Sequence, residues 1–531
     1  MSERGEEQRY EGLSPFELKN KLIAMATDAE AMMLNAGRGN PNWVAVEPRR
    51  AFGELHRFAL DESERTAIAP GFGGTPESAG IAERLRTHLA ASGAQGGELL
   101  NSTLALAESR FSFDLDAFVT ELCDAVLGDH YPVPDRMLRH CEQVVDAYLA
   151  KALAGGSWSE GNFDLFATEG GTAAMTYVFQ SLVENKLIHP GDTIALGTPI
   201  FTPYLEIPYL NDYRLIELEI AQDENDEWRY PPEEIEKLAD PSVKAFFVVN
   251  PSNPTSRAMH ADTLQALSDL VATKRPDLIF LTDDVYGTFV DEFRSLAAIA
   301  PRNTILVYSW SKFFGATGWR LGVIGLHTDN VLDAAIAELP EHDRDDLAQR
   351  YGTVFLDPAG TKLIDRMVAD SRTVALHHTA GLSTPQQVMM TLFAVHSLVD
   401  ENHAYQHAAQ GIVRQRITGL YDGLGVDYPD SPYDTHYYNT IDVPQLAAER
   451  FGADFAAWLR SAHEPIDFVW RLAHEHGVVL MDGGGFDAPE MSIRVSLANL
   501  PSDAYPQIGR AISTLLADYH ERFVAAGEPS A

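Results

Sequence analysis

The spacing of hydrophobic positions changes along the chain and separates a helical first part from an alternating second part. Residues 14–34 repeat apolar side chains at helical intervals, with Ser14 as the N-cap and Pro15 at the first helical position. The Gly, Asn and Pro content of residues 35–43 predicts a loop. Residues 52–125 again show helical periodicity in places, interrupted by a Gly-rich break. We therefore predict a helix, a loop and a helical region in this order.

From about residue 126 onward, short apolar runs alternate with helical stretches. The runs at 248–250, 278–284 and 305–310 end in polar residues, as buried parallel strands do, and helical stretches such as 261–273 separate them. This pattern predicts an α/β fold with an open, doubly wound and mostly parallel sheet. Ligands bind such sheets at the carboxyl ends of the strands, so we expect the chemistry where these runs close. The last quarter of the chain mixes helices with short strands.

The longest stretch without Asp, Glu, Lys or Arg is not a membrane span. It runs from Thr373 to Val399 and contains His, Pro and Gln side chains, which do not suit hydrocarbon. Its apolar end, residues 388–399, predicts a buried helix. Cys123 and Cys141 form no CxxC pair, and the N-terminal residues contain no apolar signal core. We expect a reduced, cytoplasmic protein without a disulfide framework or a membrane partner.

The charge of the chain excludes one class of function. It has 531 residues, with 40 Lys and Arg against 77 Asp and Glu, so its formal net charge is −37. Phosphate backbones require a basic face, so nonspecific nucleic-acid binding is not expected, and the same surplus opposes docking on anionic lipid. A hydrophobic content of 45% in so long a chain is enough for a large core.

Residues 308–326, YSWSKFFGATGWRLGVIGL, carry the strongest chemical signal. A predicted strand ends at Ser309 and is followed by Ser311, Lys312, a Gly-containing turn and Arg320. Hydroxyls and an arginine around a lysine suit a phosphate beside an amine, and such a lysine can form a Schiff base with an aldehyde. A surface lysine after a strand is the alternative, and the other segments decide between the two.

Three further segments point to a phosphorylated ring. ATEGGTAAM, at 167–175, is a turn that opens a helix, where free backbone N–H groups hold phosphate. Asn253, in NPSNPTS, could donate to a phenolate oxygen or form a plain Asn-Pro turn. LTDDVYGTF, at 281–289, ends a strand in two aspartates, and a buried carboxylate needs a cation. A protonated pyridine nitrogen would be such a cation.

Taken in this order, the segments resemble the fold-type I pyridoxal-phosphate enzymes of the aspartate aminotransferase superfamily. The resemblance rests on motifs that follow one another over about 350 residues. They are the Gly-rich turn, the NPT-like segment, DxxY, SxSK, the arginine eight residues past the lysine, and a late arginine. The resemblance implies a large cofactor domain and a smaller α+β domain. It also implies pyridoxal 5'-phosphate as the cofactor and no metal.

The resemblance assigns roles to individual residues. Lys312 would bind the cofactor aldehyde and act as general base, Asp283 would pair with the pyridine nitrogen, and Arg494 would hold the substrate α-carboxylate. The other implied cofactor contacts are Asn253 and Tyr286 at the ring oxygen; Ser309, Ser311, Arg320, Gly170, Gly171 and Thr172 at the phosphate; Phe201 against the ring; and Tyr131 at the phosphate of a neighbouring subunit.

A closer resemblance extends over nearly the whole chain, to the L-aspartate 4-decarboxylases. Its segments are SPFELK, NAGRGNPNW, HYPVP, EGGTAAM, PIFTPYLEIP, NPSNP, TDDVYGTF, FGATGWRLGV, HHTAGLSTPQQV and SLANL. That family converts L-aspartate to L-alanine and CO2, has aspartate aminotransferase activity on the side, and forms large oligomers, typically dodecamers built from dimers. The chain departs from the family at 482–486, where DGGGF replaces a proline-glycine loop.

The β-carboxylate of aspartate needs a partner that does not hold it too firmly. A tight arginine clamp would stabilise the negative charge of the β-carboxylate, which must be lost when CO2 leaves. A cation that binds the β-carboxylate less tightly is therefore favoured. Arg38 and Gly39 in NAGRGNPNW, with Lys19 in SPFELK, are the candidate set, and Asn253 would contact the substrate as well. Alternatively, Lys19 is a solvated helix residue and Arg38 only pairs within its loop.

We predict four segments and two alternative functions. The segments are a substrate loop and part of the small domain at 1–51, a helical insertion and assembly surface at 52–125, the large cofactor domain at 126–375, and the small domain at 376–531. An aspartate or broader aminotransferase is the second hypothesis. A non-enzymatic regulator on the same fold is the third, but the chain shows no DNA-binding helix-turn-helix at its N-terminus.

Overall fold

A seven-stranded sheet lies at the centre of the protein. The computed structural model describes residues 7, 10, 13–28, 33–201, 203–204, 213–372 and 381–527. The strands of the sheet are β2 (Phe163–Thr168), β3 (Thr193–Thr198), β4 (Ile216–Ala221), β5 (Val243–Val249), β6 (Ile279–Asp283), β7 (Thr304–Ser309) and β8 (Gly322–His327). Their order is β2-β8-β7-β6-β5-β3-β4, and β8 alone runs antiparallel to its neighbours. The predicted mostly parallel sheet is confirmed.

The middle strands bring polar residues to one edge of the sheet. Strands β6 and β7 are buried on both faces, which explains their continuous apolar sequence. Because they are parallel, Asp283 and Ser309 end at the same edge. The helices around the sheet are α6 (Arg139–Ala154), α7 (Gly171–Glu184), α8 (Pro232–Glu236), α9 (Ala261–Thr273), α10 (Leu296–Ile299), α11 (Val331–Ala337), α12 (Glu341–Tyr351) and α13 (Leu363–Asp370).

The predicted helical region forms four helices, and three of them cover another helix. These are α2 (Val46–Arg65), α3 (Ile81–Ser92), α4 (Gly97–Ser109) and α5 (Leu115–Leu127), and the Gly-rich break lies between α2 and α3. Helix α14 (Thr384–Val399) packs against α2, α4, α5 and α6. A helix surrounded on all sides buries its whole circumference, which accounts for its uncharged sequence. Residues 373–380 lie outside the described part of the chain, as do most of residues 202–212.

Both ends of the chain build a second, smaller unit. It contains an antiparallel sheet of β9 (Tyr438–Asp442), β12 (Ser492–Ser496) and β11 (Met481–Asp482), and a parallel pair of β1 (Leu34–Asn35) and β10 (Val478–Val479). Its helices are α1 (Pro15–Asp28), α15 (Ala404–Leu424), α16 (Val443–Phe451), α17 (Ala453–Ala462), α18 (Asp467–His476) and α19 (Tyr505–Gly527). Helix α1 packs on α18, so the N-terminal segment belongs with the C-terminal part.

The two hydrophobic cores meet within one helix. In α15, Val413 packs in the core of the large unit and Ile417 in that of the small unit. Helix α14 also belongs to the large core, although it follows the limit predicted after residue 375. That limit lies outside the described residues, and the four domain ranges stay predictions.

The helix predicted over 14–34 is too long. Helix α1 ends at Asp28, residues 29–32 lie outside the described residues, and Leu34 is already in β1. Leu34 N–H donates to the Gly477 carbonyl at 2.8 Å, so pairing with β10 determines this local conformation. Ser14 does accept from the Glu17 N–H at 3.4 Å, as its predicted N-cap position requires. None of the described helices is long and apolar enough to cross a membrane.

Candidate active site

A cavity at the carboxyl ends of β5, β6 and β7 brings ten of the predicted residues together. Its volume is about 120 Å³, roughly ten times the space that one water needs. The lining residues are Gly171, Thr172, Phe201, Tyr204, Val249, Asn253, Asp283, Val285, Tyr286, Ser309, Ser311, Lys312, Thr317 and Arg320. The sheet supplies its floor, and the first turn of α7 closes one end.

Asp283 lies at the base of this cavity with little to offset its charge. The Tyr204 hydroxyl donates to its Oδ2 at 2.6 Å and the Val285 N–H to its Oδ1 at 3.2 Å. Burial raises the pKa of Asp283, although Tyr204, the Val285 N–H and the charge of Lys312 oppose the rise. No basic side chain in the described residues forms an ion pair with it. A protonated ring nitrogen would supply the missing cation.

The neighbouring Asp284 points away from the cavity, because side chains alternate along a strand end. It is fully buried and accepts from the Thr282 hydroxyl at 2.5 Å. Burial raises its pKa to about 7. Of the two adjacent aspartates, only Asp283 is available to a ligand in the cavity.

The first turn of α7 and a guanidinium form an anion-binding corner. Gly170 has φ 97° and precedes the helix, and the Arg320 guanidinium donates to the carbonyls of Thr317 and Glu169 at 3.0 and 3.3 Å. A Cβ on Gly170 would lie 2.5 Å from Arg320 Nη2, so only glycine fits beside this guanidinium. The Ser309 and Ser311 hydroxyls lie 2.8 Å apart at the same corner. Helix N–H groups, a cation and hydroxyls together suit a phosphate.

Lys312 is held by the loop at residues 35–43. Its Nζ donates to the Gly39 carbonyl at 3.0 Å, and the Tyr437 hydroxyl donates to the same oxygen at 2.9 Å. A Cβ on Gly39 would lie 2.4 Å from the Tyr438 hydroxyl oxygen and 3.1 Å from Lys312 Nζ. Only a glycine therefore allows this loop to approach the lysine so closely.

Arg494 is a buried cation without a carboxylate partner among the described residues. It extends from β12, and its Nη1 donates to Asn253 Oδ1 at 2.9 Å, while Nη2 donates to the Gly37 carbonyl at 3.1 Å. Its guanidinium stacks over the Tyr438 ring at 4.2 Å, and its Nε has no partner in the described chain. Because Asn253 turns its oxygen to Arg494, its NH2 group is left for the cavity. A substrate carboxylate would supply the missing counter-charge.

Two further cations lie near Arg494. Lys19 projects from α1, and a Cβ on Gly37 would lie 3.1 Å from its Cδ. Burial, the charge of Arg494 and the charge of Arg38 lower the pKa of Lys19, in that order of size. We call Arg494, Lys19 and Arg38 the cation cluster. None of the three lines the cavity, but Arg494 bonds to Asn253, which does. A cluster of three positive groups suits a substrate with two carboxylates.

Comparison with known proteins gives the family. Residues 166–512 match the family model described as aminotransferase class I and II. The chain belongs to this family. It is 47% identical over 520 residues to a Pseudomonas sp. protein named bifunctional aspartate aminotransferase and L-aspartate beta-decarboxylase, which covers 97% of this chain and 98% of that protein.

Solved structures of the family agree with the fold. An aspartate aminotransferase double mutant of Thermus thermophilus has a TM-score of 0.60 at 16% identity, covering 96% of this chain and 98% of its own. The Thermotoga maritima aspartate aminotransferase has a TM-score of 0.56 at 18% identity, covering 97% and 100%. The fold-type I prediction is confirmed, and so is pyridoxal 5'-phosphate, the cofactor on which aminotransferases of classes I and II depend.

The residues present fit this cofactor. Asp283 lacks a cation, the α7 corner suits a phosphate, and Lys312 reaches the cavity between them. Lys312 would hold the cofactor covalently, while Asn253 and Tyr286 would donate to its ring oxygen. These roles stay predictions.

Phe201, Tyr131 and the DGGGF segment lie at different places relative to the cavity. Phe201 lines the cavity, whereas Tyr131 is 65% exposed and does not. A role for Tyr131 would therefore require the neighbouring subunit that the resemblance implies. The DGGGF segment ends β11 and makes a short turn at Gly484–Phe486, and the Phe486 ring lies 4.8 Å from the Arg494 guanidinium.

Sequence reasoning missed three tyrosines of the site. Tyr204 supports Asp283, Tyr437 bonds to the loop that holds Lys312, and Tyr438 lies under Arg494. Tyr204 follows Phe201 within PIFTPY, and Tyr437 and Tyr438 are adjacent at the start of β9. The adjacent tyrosines beside a strand were the available signal, but their contact with Arg494 depends on the pairing of β9 with β12.

We predict that Gly322→Ala weakens cofactor binding about tenfold or more. The added Cβ would lie 2.6 Å from the Gly170 carbonyl carbon and displace the anion-binding corner. Titration of the cofactor-free protein with pyridoxal phosphate measures this. Gly325→Ala, on the same strand, serves as the control, because its Cβ would contact side chains and no backbone: Leu165 Cδ2 at 3.2 Å, Phe163 Cδ1 at 3.4 Å and Leu306 Cβ at 3.6 Å. Equal affinities of both variants would contradict the prediction.

We also predict that Asp284→Asn removes part of the pH dependence of stability. With a pKa of about 7 in the folded protein and an ordinary pKa when unfolded, Asp284 stabilises the fold at low pH. That contribution is lost as the pH rises through about 4 to 7, and it amounts to a few kcal/mol. Thermal unfolding of both proteins between pH 5.5 and 8 measures it. The wild type should lose more stability over this range than the variant.

Proposed function

We propose that the protein removes the β-carboxyl group of L-aspartate as CO2 and forms L-alanine, with aspartate aminotransferase activity as a second outcome. The observation that carries this proposal is the cation cluster, whose member Arg494 bonds to Asn253 in the wall of the cavity that contains Lys312. One member, Arg494, is fully buried, and the other two lie in the loop at residues 35–43 and in helix α1. The Pseudomonas relative, named for both activities, supports the same conclusion.

The cluster provides two unequal carboxylate sites. Arg494 is rigidly held by Asn253, the Gly37 carbonyl and the Tyr438 ring, so it suits the α-carboxylate, which must stay fixed. Arg38 is exposed in the single chain, and Lys19 is half-buried with a lowered pKa. These weaker cations suit the β-carboxylate, which must give up its charge.

The chain's own residues divide the remaining work. When bound, the cofactor supplies an electron sink for bonds broken next to the substrate nitrogen. Lys312 is placed to remove the proton from the substrate Cα and to return it later. Asp283 keeps the ring nitrogen protonated, and Asn253 and Tyr286 orient the ring. The Arg494 clamp fixes which bond at Cα faces Lys312.

A pure aspartate aminotransferase is the second candidate, because the fold and the Arg494 clamp would serve it equally. The decisive experiment supplies L-aspartate to the enzyme reconstituted with pyridoxal phosphate and adds no keto acid. We expect CO2 and alanine in equal amounts over many turnovers. A single turnover that yields oxaloacetate and no CO2 would support the aminotransferase and contradict our proposal.

We infer that the protein acts as an oligomer in the cytoplasm, with a dimer as the minimal unit and a dodecamer as the larger assembly. The exposed Tyr131 supports the dimer, because its predicted partner is a neighbouring phosphate. Ile68 and Phe72 in the helical insertion are 82% and 69% exposed and suit a contact between subunits. Sedimentation at several protein concentrations tests this inference.

We predict that Arg38→Ala lowers alanine formation about tenfold or more while it lowers half-transamination less. The variant loses a charged partner of the β-carboxylate but keeps the Arg494 clamp. Alanine is measured at steady state, and half-transamination is followed by the cofactor absorbance in a single turnover.

Arg50→Ala, an exposed arginine of α2 that is not in the cation cluster, is the matched control and should leave both rates within about twofold. Equal losses of both reactions in Arg38→Ala would remove the assigned role from Arg38.

A further inference from the structure

We propose that Tyr438 is the acid that delivers a proton to the substrate β-carbon when CO2 leaves. This inference rests on the proposed decarboxylase function and adds a catalytic residue to it. Loss of CO2 leaves an electron pair that must end in a new C–H bond, so the reaction needs a proton donor near Cβ. Three contacts place the Tyr438 hydroxyl there.

The first contact fixes Tyr438 relative to the substrate α-carboxylate. Tyr438 begins β9, which pairs antiparallel with β12, the strand of Arg494. The Arg494 guanidinium lies 4.2 Å from the centre of the Tyr438 ring. A carboxylate bound by Arg494 would therefore lie next to the Tyr438 ring.

The second contact places the hydroxyl between the two ends of the substrate. A methyl group built on Gly39 would touch both the Tyr438 oxygen, at 2.4 Å, and Lys312 Nζ, at 3.1 Å. Lys312 acts at Cα, and Arg38, next to Gly39, is assigned to the β-carboxylate. The Tyr438 hydroxyl thus lies beside the amine that acts at Cα, and Cβ is one bond from Cα.

The third contact makes Tyr438 a better acid than its neighbours. In the chain without cofactor, the Tyr286 hydroxyl donates to the Tyr438 oxygen at 3.1 Å. When that proton is donated to the cofactor ring oxygen instead, Lys312 and Arg494 are the groups that stabilise a phenolate at Tyr438. Burial alone would raise the pKa of Tyr438, but the charges of Lys312 and Arg494 outweigh it and lower the pKa below its ordinary value. Burial raises the pKa of Tyr286 and Tyr437 well above that value. Of these three tyrosines, Tyr438 is the one adapted to release a proton.

The step is balanced without an oxidant or a reductant. The bond between Cβ and the β-carboxylate breaks, CO2 departs, and the bond's electron pair forms a new bond between Cβ and the Tyr438 proton. Tyr438 is left as a phenolate beside Lys312, Arg494 and the Tyr286 hydroxyl, and it regains a proton from water. One solvent proton is consumed for each CO2 released.

The test uses Tyr438→Phe, which keeps the ring under Arg494 and removes the hydroxyl. We expect alanine formation to fall about a hundredfold, while half-transamination falls no more than severalfold, because only decarboxylation needs a proton at Cβ. Tyr148→Phe is the matched control, since Tyr148 is a buried tyrosine whose hydroxyl contacts Tyr308, away from the cavity. It should change neither rate by more than about twofold.

Two measurements separate a proton donor from a residue that only positions others. The first measurement decarboxylates aspartate that carries deuterium at one Cβ position in tritiated water, which makes the alanine methyl group chiral. The wild type should give one methyl configuration, and Tyr438→Phe should give a mixture of the two configurations. In the cofactor-free protein, ultraviolet titration should find a phenol with a lowered pKa in the wild type and Tyr148→Phe but not in Tyr438→Phe.

Three outcomes would overturn the proposal. Equal losses of both reactions would show that Tyr438 acts through Tyr286 or Arg494. An unchanged rate with one methyl configuration would assign the proton to Lys312 instead. A wild type that releases no CO2 would refute the proposed function, and the role of Tyr438 would be refuted with it.

Discussion

The active site depends on one guanidinium held away from water without a fixed counter-ion. Placing the Arg494 charge in the interior costs several kcal/mol unless polar groups surround it, and the protein supplies an amide oxygen, a backbone carbonyl and an aromatic face. Each of those groups is fixed in return: the amide of Asn253 takes one orientation, and the Tyr438 ring lies flat beneath the charge. Burial and then the Arg494 charge lower the pKa of Lys19, and the charges of Lys312 and Arg494 lower the pKa of Tyr438. A single buried cation thus sets the polarity of the whole pocket and leaves it short of one anion.

Neither structural unit contains the site alone. The large sheet supplies Lys312 and Asp283, while Arg494 and Tyr438 come from the small antiparallel sheet, and the loop at residues 35–43 lies between them. The Gly37 and Gly39 carbonyls accept from Arg494 and Lys312, respectively, so one short loop links the cation of each unit. Any movement of the small unit would therefore change the distance between the substrate clamp and the reacting amine.

The sequence pattern predicted the features that depend on neighbouring residues, and it missed those that depend on pairing between distant strands. Asp283 and Lys312 could be found because apolar strands end in them at one sheet edge. The helix predicted through Leu34 failed because pairing with β10, more than 440 residues later, outweighed its helical spacing. Tyr438 was missed for the same reason, since its position under Arg494 follows from the register of β9 with β12. The farther apart two residues lie along the chain, the less the local sequence pattern reveals about their contact.

The enclosed helix α14 makes the large unit depend on the helical segment that covers it. Residues 384–399 are uncharged, and α2, α4 and α5 of the insertion cover them. Without α2, α4 and α5, the apolar side chains between Val388 and Val399 would lose these partners and face solvent. The segment from Val46 to Leu127 therefore forms one side of this core and cannot be removed without exposing a helix of the catalytic unit.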